Sequence, residues 1–140
     1  MDPQPAAARS QSAAARSPNA TSPADAHAWF ARKLSLETDP ADVRAAQKAG
    51  KTDFLLIDTR TRQAFEAGHL PGALSLPHAE MDAATTASLP RDALLVTYCW
   101  SASCNASTKG ALKLSALGFT VKEMIGGIAA WKADGHPIEA

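Results

Sequence analysis

Apolar and polar positions change their spacing several times along the chain, and each change marks an element. Phe54-Leu55-Leu56-Ile57-Asp58 is an unbroken apolar run closed by a carboxylate, the pattern of a strand covered on both faces in a parallel sheet. Ala93 to Tyr98 repeats it more strongly. Between and after these runs the spacing turns helical. A short helix is predicted around Thr61 to Ala67, and a longer one from Asn105 to Leu117 carries Ala111, Leu114 and Leu117 on one face and stops at Gly118. Ala73 to Leu76 reads as a further strand, and "FTVKEM" as the last strand before a helix through "IAAWKA".

Upstream, Ser22-Pro23-Ala24-Asp25 combines a capping residue, a proline in the first turn and an early acid, which predicts a helix carrying Ala28, Trp29 and Phe30. "LSLET" is a short strand candidate, and Asp39-Pro40 opens a helix through about Lys48 that Gly50 closes. Alternation of this kind implies right-handed crossovers and an α/β fold, with a mostly parallel sheet of about five strands between helices on both faces. Residues 1 to 22 hold a single methionine as their one large apolar side chain. Such a segment cannot bury enough surface to offset its ordering entropy, so it is expected to be a disordered tail, with one domain over 23–140.

Composition narrows the function. The chain is 46% hydrophobic and 20% charged, with 14 basic and 14 acidic side chains. A balanced charge gives no basic surface for nucleic acid or anionic lipid, so neither a nucleic acid nor a membrane is an expected partner. No apolar run approaches the roughly 18–20 residues a membrane span needs, and the N-terminus lacks an apolar secretory core. A cytoplasmic location is expected. Two cysteines make no disulfide framework, and the four histidines, at 27, 69, 78 and 136, show no ligand spacing for zinc.

Both cysteines lie in "YCWSASCN", directly after the strongest strand. In open α/β sheets the functional crevice lies beyond the carboxyl ends of the strands, so Asp58-Thr59-Arg60 and Cys99 to Cys104 should share one edge. A strand, a tight loop and a helix start aim backbone N–H groups at one point, which favours a thiolate at Cys99. Three readings stay open on the residues alone. Cys99 is a nucleophile, or a small apolar core residue, or half of a Cys99–Cys104 disulfide that a reducing compartment opposes.

The segments "LLIDTRTRQAFEAGHLPGALSLP", "LLVTYCWSASCNAS" and "LGFTVKEMIGGIAAWKADGHPI", in this order over about residues 34–140, resemble the signatures of the rhodanese-like domains. The resemblance implies a three-layer α/β/α fold and sulfur transfer. Cys99 would attack the outer sulfur of a donor such as thiosulfate or a persulfide, become a persulfide, and pass that sulfur to cyanide or a thiol. No metal or organic cofactor is implied. The partner expected is a small sulfur compound or thiol acceptor.

The loop Trp100, Ser101, Ala102, Ser103 and Cys104 would bind the substrate, with Asp58 and Arg60 supporting it by bonding the loop backbone and each other. His69 reads as a structural histidine, and Gly126, Gly127 and Trp131 as turn and core positions. Related phosphatases and arsenate reductases use Cys-x5-Arg, whereas the residue six beyond Cys99 is Asn105. Without a guanidinium there, bidentate phosphate binding is not expected.

The loop departs from relatives that act on thiosulfate, which carry Arg or Lys within it. Here the first cation after Cys99 is Lys109, so weak thiosulfate turnover is expected. Trp100 either walls the pocket or packs on the surface, and Cys104 either resolves a Cys99 persulfide or fills the loop end. The competing functional reading is a binding or redox-sensing module that switches through a Cys99–Cys104 disulfide.

Overall fold

The computed structural model describes residues 19–140. The expected tail lies mostly outside the described residues. Five strands form one sheet in the order β1-β5-β4-β2-β3, and every pairing is parallel. The strands are β1 (Glu37–Thr38), β2 (Phe54–Asp58), β3 (Leu74–Ser75), β4 (Leu94–Tyr98) and β5 (Thr120–Met124). The helices are α1 (Pro23–Leu36), α2 (Pro40–Lys48), α3 (Arg62–Ala67), α4 (Ala106–Ala116) and α5 (Gly127–Ala133), with a 3-10 turn at His78–Glu80. The three-layer α/β expectation holds.

The chain divides into two compact units at Lys33/Leu34. α1 begins as expected, with the Asp25 N–H donating to Ser22 Oγ at 3.1 Å. It buries none of its residues, and Trp29, Phe30 and Leu34 are exposed. One expectation fails here: Leu34, Ser35 and Leu36 of "LSLET" continue the helix, and only Glu37–Thr38 pair as strand. Leucine extends an Ala-rich helix at little cost, and an edge strand two residues long offers few hydrogen bonds in exchange.

In the second unit, the period-2 geometry of each strand divides its apolar run between two cores. Val96 and Tyr98 of β4 point into a cluster with Leu56, Val43, Leu70, Met124, Ile128 and Trp131. Leu95 points the other way, toward Ile57, Leu76, Met81, Leu114 and Phe119. α2 and α5 pack together, and α4 packs on β4 and β5. This is why β2 and β4 read as continuous hydrophobic runs. α2 starts with Asp39 Oδ1 accepting from the Asp42 N–H at 2.9 Å, and α3 with Thr61 Oγ1 accepting from Ala64 at 3.2 Å. Asn105 stands at the cap position of α4 but makes no side-chain cap bond.

A buried polar network ties the ends of β2 and β4. Asp58 takes the Arg60 guanidinium at 2.8 Å and the Tyr98 hydroxyl at 2.8 Å, and Arg60 also donates to the Gly68 carbonyl at 2.6 Å. Tyr98 Oη in turn accepts from the Leu70 N–H at 3.1 Å. Burial works against the Arg60 charge, but Asp58 outweighs it and holds the guanidinium above its ordinary value. Burial and the same carboxylate push the Tyr98 phenol well up, so it stays a donor. Arg60→Ala would leave Asp58 buried and unpaired, and urea unfolding is expected to register a loss of about 3–5 kcal/mol. A loss below about 1 kcal/mol would mean that Tyr98 and the main chain suffice for that carboxylate.

Candidate active site

Cys99 follows β4 directly and is buried, with 2% of its surface exposed. It nevertheless lines a cavity of about 220 Å³ together with Ser101, Ala102, Ser103, Cys104, Ser107, Thr108, Glu123 and Gly127, among others. The loop, the first turn of α4 and the end of β5 therefore meet around one sulfur. The sequence had placed Cys99 to Cys104 at this edge.

Three oxygens and the Cys104 thiol surround Cys99 Sγ. The Cys104 carbonyl lies at 3.2 Å, the Ser107 hydroxyl at 3.4 Å and the Ser101 carbonyl at 3.9 Å. One amide donor expected there goes elsewhere. The Cys104 N–H closes a turn onto the Ser101 carbonyl at 3.1 Å. Burial tends to raise the Cys104 thiol pKa, but the backbone amide of Ala106, the Cys99 thiol, the backbone of Trp100 and the Lys109 charge together lower it below the ordinary value. Cys99 thus donates toward backbone oxygens beside a partner thiol held below its own ordinary pKa.

Ser107 connects Cys99 to a carboxylate. Its hydroxyl donates to Glu123 Oε2 at 2.6 Å, and Thr108 donates to the same oxygen at 2.5 Å. With its proton committed to Glu123, Ser107 Oγ presents a lone pair to Cys99. Ser101 and Ser103 bond each other through their hydroxyls at 3.0 Å.

The loop is fixed from below by α5. The Ile128 and Ala129 N–H groups, free donors of a helix start, bond the carbonyls of Cys99 at 2.8 Å and Trp100 at 2.9 Å. Only glycine fits at Gly127. Its φ is +63°, and a Cβ there would lie 2.5 Å from the Cys99 carbonyl oxygen and 2.6 Å from the Ser101 nitrogen.

Trp100 does not line the Cys99 cavity. Its ring is half exposed, covers the Arg60 guanidinium at 4.4 Å, and borders a separate cavity with Arg60 and His78. Asp58 and Arg60 bond each other as expected, but Arg60 reaches the Gly68 carbonyl rather than the backbone of the cysteine loop. His69 Nδ1 pairs with the Phe65 carbonyl at 2.8 Å, and its ring stacks on Phe65. Among the described residues no cluster of His, Cys, Asp and Glu could hold a metal ion.

Residues 39–134 match the Rhodanese-like domain family. The chain belongs to that family. It is 38% identical to the BH2092 protein of Bacillus halodurans, with a TM-score of 0.84 over 85% of this chain and 87% of that one. The rhodanese-like domain of the Alr3790 protein from Anabaena is 28% identical, with a TM-score of 0.68 over 74% and 78% of the two chains. A Rhodopseudomonas palustris protein described as of unknown function and a possible tyrosine phosphatase is 28% identical, with a TM-score of 0.60 over 76% and 86%. An HTH-type transcriptional regulator of Mycobacterium tuberculosis is 31% identical over 99 residues, which are 71% of this chain and 42% of that protein. The chain therefore spans less than half of the regulator's length. No helix among the described residues is long and apolar enough to cross a membrane.

Sequence reasoning did not single out Ser107, Thr108 or Glu123. The available signal was positional: Glu123 is near the carboxyl end of β5 and Ser107 is in the first turn of α4, where sites of such sheets collect. Gly127→Ala is expected to cost about 1–3 kcal/mol from the backbone alone and to shift the loop, read as a changed alkylation rate at Cys99. Unchanged stability and rate would show that the loop does not depend on this close approach.

Proposed function

We propose that this rhodanese-like domain is a sulfurtransferase with Cys99 as the sulfur carrier. The observation that carries the reading is the Cys99 sulfur, buried at the end of β4 yet lining a cavity beside the Ser107 hydroxyl and a second thiol of lowered pKa. The Cys99 thiolate attacks the outer sulfur of a donor. The donor's S–S bond breaks with its electron pair leaving on the departing thiolate or sulfite, and Cys99 becomes a persulfide. An acceptor thiolate then attacks the outer sulfur of that persulfide, and the Cys99 thiolate is regenerated. The thiol proton has two routes out, through the Ser107 hydroxyl as that hydroxyl passes its own proton to Glu123, and to the Cys104 sulfur. Neither step needs a metal or an organic cofactor.

Phosphatase chemistry fits less well, because Asn105 stands where a guanidinium would close the loop on phosphate. A second reading, a thiol–disulfide switch, is favoured by one observation: the lowered pKa of Cys104, to which the hydrogen bond from Cys99 contributes. Forming that bond removes two electrons and two protons, so an external oxidant such as peroxide is required.

Exposure to a persulfide donor is expected to add the mass of one sulfur atom to the Cys99 peptide in wild type and in Cys104→Ala, and nothing in Cys99→Ser. Transfer through Cys99 is wrong if Cys99→Ser keeps its adduct, or if wild type yields only an internal disulfide. The lowered Cys104 pKa also has a direct readout. Its alkylation rate should begin to rise at lower pH than that of free cysteine, as followed by peptide mass spectrometry.

A further inference from the structure

We propose that Glu123 sets the charge preference of this site, disfavouring anionic sulfur donors such as thiosulfate and admitting neutral or cationic hydropersulfides. The proposal rests on the sulfur-transfer reading and names the substrate class that reading leaves open.

Glu123 lines the same cavity as Cys99, and its Oε2 is held toward the cysteine loop by the hydroxyls of Ser107 and Thr108. Two donated hydrogen bonds fix the position of that oxygen beside the loop. Glu123 also borders an adjoining cavity with Thr108, Leu112 and Val121. On the loop, no side chain from Trp100 to Thr108 is basic. The cation felt here is Lys109, whose charge helps lower the Cys104 pKa and so favours a further anion, the Cys104 thiolate.

An approaching dianion therefore meets a fixed carboxylate in a cavity only partly open to water, where charges interact more strongly than in bulk solvent. A neutral hydropersulfide meets no such barrier, and a protonated amine beside its sulfur is attracted. The chemistry of transfer is the same for each donor. The donor S–S bond breaks, its electron pair leaves with sulfite or a thiolate, and Cys99 keeps the outer sulfur. Glu123 therefore acts on which donor arrives.

Two measurements on the full chain, wild type and Glu123→Gln, test this. Glutamine retains an oxygen that can accept from Ser107 and Thr108 while removing the charge. The first measurement compares alkylation of Cys99 by iodoacetate and by iodoacetamide, which differ chiefly in charge, resolved by peptide mass spectrometry. Wild type should discriminate against iodoacetate more than free cysteine does, and Glu123→Gln should shrink that discrimination about threefold. Raising the ionic strength should narrow the gap in wild type and change the variant less.

The second measurement compares Cys99 persulfide formation from thiosulfate and from cysteamine hydropersulfide. Glu123→Gln should raise the thiosulfate rate about tenfold relative to the hydropersulfide rate. Equal discrimination in wild type and variant, in either measurement, overturns the role of Glu123 and leaves sulfur transfer standing. If the alkylation contrast appears and no donor persulfidates Cys99, the charge filter stands, while sulfur transfer and the donor class named here both fall. A variant that loses its fold would lose discrimination together with its circular dichroism spectrum, and Glu123→Asp, which keeps the charge, should then retain the wild-type iodoacetate ratio if the proposal is right.

Discussion

The cysteine loop has its shape because the start of α5 lies directly beneath it. A helix start leaves amide donors without partners inside the helix, and a tight loop leaves carbonyls without strand partners. Here each supplies what the other lacks, through Ile128 to Cys99 and Ala129 to Trp100. The contact requires backbone against backbone, which only Gly127 allows. Two loop carbonyls are thereby held downward, and the sulfur of Cys99 faces the cavity.

The other side of the loop is held by charge. Asp58 and Arg60 form a buried pair whose remaining valences are taken by Tyr98 and by the Gly68 carbonyl. Such a pair contributes little net stability compared with apolar residues, but removing one member is costly, so it fixes position more than it adds energy. Tyr98 is the residue before Cys99, and Trp100, the residue after it, lies over the Arg60 guanidinium. The nucleophile candidate is thus bracketed by two aromatic side chains anchored on one ion pair. Trp100 is exposed for this reason rather than as a wall of the cavity.

The long strands and helices were legible because burial on both faces leaves an unbroken apolar signature, as in β2 and β4, and because capping residues such as Ser22 and Asp39 declare helix starts. β1 was misread because a two-residue edge strand has no period to detect, and the leucines before it satisfy a helix equally well. At the site, sequence order exposed Cys99 and its loop, which are contiguous. It could not expose Glu123, because the bond from Ser107 spans 16 positions and depends on how α4 settles against β5. Nor could it show that the oxygens of Cys104 and Ser107 surround Cys99 while amides serve Cys104, since that depends on the turn closed by the Cys104 N–H.

These features combine into an asymmetry between the two thiols. Cys104 is the less buried, and amides and a lysine charge hold its pKa below the ordinary value. Cys99 is buried with two carbonyls and the Ser107 hydroxyl around its sulfur. The proposed sulfur transfer at Cys99 requires that a substrate enter the cavity and that the proton pass through Ser107 to Glu123, or to Cys104. In the charge filter proposed above, selectivity follows from where the negative charge is already placed, on Glu123 and toward Cys104, before any donor arrives.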